Sequence, residues 1–144
     1  MNTIEFDIVD TYDEAEAEAG KWYPAKRGGK VYFEGLCRFL DTTSTTVLLD
    51  IKRAHARLGK TIRGGEPVTD DDRIAAVVAH MVLKDWKGVT SKGKEVPFSA
   101  KSALEYLSHP KNHWISKEVV AFASDVENFP LEDEEFAVEE ISKN

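Results

Sequence analysis

The chain is poor in the residues that build redox or metal chemistry. Its 144 residues include one cysteine, Cys37, which excludes an internal disulfide and a cysteine-rich zinc site. Such usage fits a reducing compartment, so a cytoplasmic protein is expected. No apolar run approaches the ~18 residues that a membrane span requires. The opening Asn2-Thr3-Ile4-Glu5-Phe6-Asp7 has neither a basic n-region nor an apolar h-region, so a secretory leader is not expected either.

Catalytic signatures are equally scarce. Gly59-Lys60-Thr61 resembles the end of a phosphate loop, but Ala54 stands where a Walker motif needs its first glycine. His109 and His113 have a metal-pair spacing with Pro110 between them and no nearby cysteine or carboxylate in sequence. His55 and His80 fall within helical patterns, where a lone histidine is most simply a packed one. Cys37 beside Arg38 could carry a reactive thiolate. Its neighbours Leu36 and Phe39 favour a small buried hydrophobe instead. Asp70-Asp71-Asp72 lacks the spacing of a calcium loop and reads as the acidic first turn of a helix. Ser44 has no nucleophile-elbow setting. No catalytic residue, metal ligand or cofactor is expected.

What is abundant is acid, unevenly spread. The net charge is −7, which opposes a phosphate-binding role. Residues 1–20 carry seven acids and no base, and residues 21–66 carry ten bases against four acids. Residues 130–144 return to six acids against Lys143. Two solvated acidic ends around an ordinary middle are the plain explanation. The sharper one is that the acidic tail competes for the basic middle, in particular for Arg53 and Arg57.

Ile4, Phe6 and Ile8 alternate with acids, as in a half-buried strand. Residues 13–20 read as a loop with helical character. Trp22-Tyr23-Pro24 and Val31-Tyr32-Phe33 flank Gly28-Gly29, the pattern of a β-hairpin. Its aromatics, beside Lys26, Arg27 and Lys30, could stack on single-stranded nucleic acid. Packing on helices is the simpler fate. Val47, Leu48, Ile51, Ala54, His55 and Leu58 lie on one helical face that Gly59 terminates. Residues 63–67 read as a loop. Thr69 caps a second helix with the apolar stripe Ile74, Val77, Val78, Met81 and Val82, expected to reach about Trp86. A second hairpin is expected within 88–98. Ser99 then caps a short helix through Leu107, and after Pro110 a last helix carries Ile115, Val119, Phe122, Ala123 and Val126. Beyond Pro130, Phe136, Val138 and Ile141 would be the only anchors of a weakly ordered or peripheral tail. The expected fold is α+β, a helix-dominated single domain over 1–129 with about four helices and two small β-hairpins, followed by an acidic tail over 130–144.

The run Asp85-Trp86-Lys87-Gly88-Val89, then Gly93-Lys94-Glu95-Val96-Pro97-Phe98-Ser99, resembles a signature of tail assembly chaperones of long-tailed phages and prophages. The similarity continues through Leu107, Pro110, Trp114 and the Phe122–Phe129 segment, and the earlier Gly20-Lys21-Trp22-Tyr23-Pro24 hairpin also looks like these proteins. The resemblance implies a non-catalytic protein that binds the tape measure protein, helps recruit tail tube subunits and is absent from the mature virion. A homo-oligomer on the client fits that role; membrane and nucleic acid do not enter it. The family supplies no catalytic residues, so candidate partner contacts rest on physics. Trp22, Tyr23, Trp86 and Trp114 are aromatic anchors, with core packing the simpler role for Trp86, and Arg53 and Arg57 would meet an acidic partner. Two alternatives remain open: a structural minor tail component retained in the virion, and a small regulatory or nucleic-acid-binding domain.

Overall fold

Gly28 and Gly29 turn the chain at φ +59° and +77°, a left-handed pair that closes a tight hairpin between β1 (Lys21–Arg27) and β2 (Lys30–Cys37). This computed structural model describes residues 4–7, 11–59, 61, 62 and 65–130. The hairpin is joined by a strand that sequence periodicity does not reveal. β5 (Leu83–Lys87) pairs antiparallel with β2, giving a three-stranded sheet in the order β1-β2-β5. Between the hairpin and β5 lie α2 (Thr45–Arg57), a two-stranded ribbon of β3 (Thr61–Ile62) and β4 (Glu66–Pro67), and α3 (Asp70–Val77). After β5 come β6 (Thr90–Ser91) and β7 (Lys94–Glu95), the expected second hairpin, then α4 (Ala100–Leu107) and α5 (His113–Ala123). Short 3₁₀ turns at Pro110–Asn112 and Val126–Asn128 flank α5. The α+β, helix-dominated expectation holds, with one helix more: α1 (Glu14–Ala19), capped by the Asp13 carboxylate.

The helix starts follow local chemistry. Ser44, Thr69 and Ser99 each accept a backbone N–H of the first turn through the side chain. Thr69 and Asp72 complete a reciprocal capping box, the Asp72 carboxylate accepting the Thr69 N–H at 2.9 Å. The helix that should reach Trp86 ends earlier. After Val77 the backbone widens into a π-helical turn, Val78–Val82, and the Leu83 N–H donates to the Val78 carbonyl. The freed Val82 carbonyl accepts from the Arg38 N–H at 2.9 Å, and the chain leaves extended as β5. Trp86 is therefore a strand residue, not a helix terminus.

The helices cover one face of the sheet. Phe33, Cys37, Val78, Val82, Leu107, Ile115 and Val119 are buried there. Gly35 sits at the closest approach: a Cβ on it would lie 2.7 Å from both Leu83 Cδ2 and Phe33 Cε1. Trp86 packs edge-on against Phe33, Phe98 and Tyr106, and its indole N–H donates to the Val96 carbonyl at 2.7 Å. That bond fastens the second hairpin to the core.

Two expectations fail for want of a packing partner. Ile4 and Phe6 are 73% and 79% exposed and belong to no strand, since no sheet edge meets them; Ile8 lies outside the described residues. Leu48, placed on the apolar face of α2, is 46% exposed beside an exposed Leu49. Val47, Ile51 and Ala54 turn toward the core and His55 and Leu58 are partly buried, so the exposed Leu48 leaves a narrower stripe than the spacing implies. Part of 63–67 pairs as β4 rather than looping throughout. Phe136, Val138 and Ile141 lie outside the described residues.

Two substitutions test this core. Gly35→Ala should lower unfolding stability by about 1–3 kcal/mol in urea melts, because Phe33 and Leu83 must give way. Trp86→Phe should cost about 1–3 kcal/mol through the unsatisfied Val96 carbonyl; an unchanged midpoint in either would contradict the packing described.

Candidate partner-binding site

α2 leans on α3 and the π turn along one side only, and a cleft of about 420 Å³ opens beside it. Its floor is apolar, formed by Phe39, Leu40, Val47, Ala54 and Met81, and its rim is charged. Arg53 and Arg57 project into it from successive turns of α2, the i, i+4 spacing that places two side chains on one face. Arg38 enters from the end of β2, and His80 from the π turn. Without the widened turn, His80 and Met81 would take the rotation of an ordinary α-helix.

Three guanidinium groups meet two carboxylates here. Arg38 Nε lies 2.9 Å from Glu18 Oε1, and Arg53 Nη1 lies 3.1 Å from Asp50 Oδ1. Arg57 has no carboxylate partner among the described residues. Its charge acts on His80, whose pKa is lowered below the ordinary 6.5 by burial first and by Arg57 second. His80 is thus neutral at pH 7, and the surplus of the rim is the Arg57 charge. An exposed cation above an apolar floor suits an acidic segment carrying apolar side chains.

The six residues singled out from sequence do not form one surface. Trp86 is buried, so its assignment as a partner contact gives way to a core role. Tyr23 is half-buried, packs tilted against Phe122 with ring centroids 4.7 Å apart and donates from its hydroxyl to Glu118 Oε2 at 3.3 Å. Trp114 is half-buried, with Arg27 4.4 Å above its ring and Tyr32 edge-on at 5.9 Å. Tyr32 reaches it because the β1–β2 register skips this residue, a bulge that re-aims the side chain. Trp22 is 40% exposed on the opposite sheet face, under Lys87 Nζ at 4.2 Å. Strand alternation thus splits the hairpin aromatics, and Phe33 is wholly buried. Only Arg53 and Arg57 come together, joined by Arg38, His80 and Met81. The i, i+4 arginine pair was the available signal. The other three residues arrive through tertiary pairing.

A second polar cluster ties α3 to α5. His113 Nδ1 lies 3.5 Å from Asp71 Oδ2, and its Nε2 lies 3.1 Å from the Ser108 carbonyl and 3.7 Å from Asp72 Oδ1. Lys117 Nζ adds a contact to Asp71 at 3.2 Å. Asp72 is buried and already engaged in the capping box, so the arrangement serves to clamp two helix starts. His109 is turned to local use, its Nδ1 accepting the Lys111 N–H. Among the described residues, no three histidine, cysteine or carboxylate side chains are grouped to hold a metal ion. Burial pushes the Cys37 thiol up to about 12, and it donates to the Gly35 carbonyl. No helix among the described residues is long and apolar enough to cross a membrane.

A family model described as YdaY prophage protein matches residues 40–140. No curated protein and no solved structure matches the chain. The matched span holds α2 with Arg53 and Arg57, and it runs on past Pro130 into the acidic segment. The hairpin with Trp22 and Tyr23 precedes it.

The cleft has a pH signature. Because the folded state holds His80 below 6.5, the unfolded chain binds more protons as the solution acidifies, and stability is lost as pH falls through that value. His80→Gln removes this component. Between about pH 7.5 and 5.5, roughly one unit either side of a free histidine, the urea midpoint of the native chain should fall further than that of the variant; equal falls would remove His80 from the account.

Proposed function

Since the chain belongs to the YdaY prophage protein family, we propose that it is a non-catalytic binding protein of prophage tail morphogenesis, a tail assembly chaperone. The observation that carries the binding role is the cleft beside α2, where the exposed Arg53 and Arg57, the latter without a carboxylate partner among the described residues, stand over an apolar floor. Such a surface holds a chain segment and offers no nucleophile with a base to activate it. The tail assignment adds the resemblance of 85–129 to tail assembly chaperones, a stretch that lies within the family match.

In this reading the client is the tape measure protein, a long chain with exposed apolar stretches before the tube encloses it, and the tail tube subunit is recruited to the same complex. The protein acts in the host cytoplasm and leaves before the virion is complete. Exposed Leu48 and Leu49 on α2 add apolar area available to a client. No cofactor or nucleic acid takes part.

Co-expression with a tape measure fragment tests the proposal. The fragment should move to the soluble fraction with the native chain and return to the pellet with Arg53→Glu/Arg57→Glu. A fragment equally insoluble with and without the native chain would end the chaperone reading. Detection of the chain in purified particles would replace it with a structural tail component.

A further inference from the structure

Phe129, the last wholly buried side chain before the acidic segment, packs its ring 5.3 Å from that of Phe39 and 6.0 Å from that of Phe122, centroid to centroid and tilted. Phe39 is also a wall of the cleft beside α2, and the Leu40 N–H next to it donates to the Ala123 carbonyl at 2.8 Å. The chain therefore departs toward residue 131 from the edge of the arginine-lined cleft. We propose that residues 131–144 fold back as the resident occupant of that cleft, setting acidic side chains against Arg53 and Arg57 and apolar ones on the floor.

Composition, reach and family extent each support this occupant. The segment places Glu132, Asp133, Glu134, Glu135, Glu139 and Glu140 among Leu131, Phe136, Val138 and Ile141, against the single base Lys143. Acid interleaved with apolar groups is the complement of a cleft with cations at its rim and Phe39, Leu40, Val47 and Met81 below. An extended chain spans roughly 3.3–3.6 Å per residue, so residues 131–144 can reach on the order of 45 Å from Pro130. The family match continues through residue 140, so the shared pattern includes most of this segment. Tethering favours occupancy, because a segment attached at the cleft edge has a high effective concentration there. A partner segment of like chemistry must then displace it, which makes the tail a built-in competitor. The inference holds whatever the client is, and stands apart from the tail-assembly reading.

Paramagnetic broadening in the full-length protein tests it. A nitroxide is attached at Ala137→Cys, and the native Cys37 is left in place because its buried, protonated thiol does not compete for the reagent. The amide signals of Arg53, Arg57, His80 and Met81 should lose most of their intensity. They should recover when Glu132, Asp133, Glu134 and Glu135 are changed together to their amides, a variant that leaves the core untouched. Unbroadened cleft signals would overturn the proposal, as would broadening confined to another surface. Broadening seen only when labelled chains are mixed with separate isotope-labelled chains would assign the cleft to a second copy and overturn it equally.

Discussion

At Val82 the chain stops being a helix, and most of the architecture depends on that change of direction. The π turn spends one extra residue before its hydrogen bond closes, from the Leu83 N–H back to the Val78 carbonyl. The Val82 carbonyl is then taken by the Arg38 N–H, so the helix end and the sheet share a backbone bond instead of leaving a buried orphan. From that point β5 can lie beside β2, bringing Leu83 over Gly35 and Trp86 edge-on to Phe33. A β-carbon at position 35 would hold the layers apart. The close approach of helix layer and sheet thus relies on a residue with no side chain, set against two large ones.

The same turn makes the cleft. His80 and Met81 occupy its outer side, while Val78 and Val82 face inward, so one five-residue element supplies both core and site wall. α2 closes the other side. Its apolar stripe is too narrow to bury Leu48 and Leu49, and its two arginines are held at a spacing where like charges repel. Asp50 offsets Arg53, but nothing among the described residues offsets Arg57. A helix with unspent charge and uncovered leucines is poorly optimised for an isolated domain, which fits a surface shaped for an occupant.

Local signals were legible where local energies decide. Thr69 and Ser99 marked helix starts because a side-chain oxygen can cap only the turn that follows it, whereas the Ser44 cap of α2 emerged only in the structure. Gly28-Gly29 marked the hairpin because few other residues accept two successive left-handed conformations. The site was half legible. Arg53 and Arg57 stood out as a basic pair on one face, whereas Arg38 and His80 looked like a thiol's neighbour and a packed imidazole. Trp86, named as a candidate partner contact with core packing as its simpler role, is a core residue on a strand and not on the expected helix, since Val82, Leu83 and Trp86 continue a helical spacing that only strand pairing overrides.

By itself, the sequence determined the class of fold, the caps and turns, and an acid–base asymmetry along the chain. All of these depend on neighbours in the chain or on composition alone. Tertiary structure decided where the helix after Asp72 ends, whether Ile4 and Phe6 would find a sheet edge, and which charges converge. Those outcomes depend on partners distant in the chain, whose backbone bonds and excluded volume outweigh local preference by choosing among conformations of similar intrinsic energy.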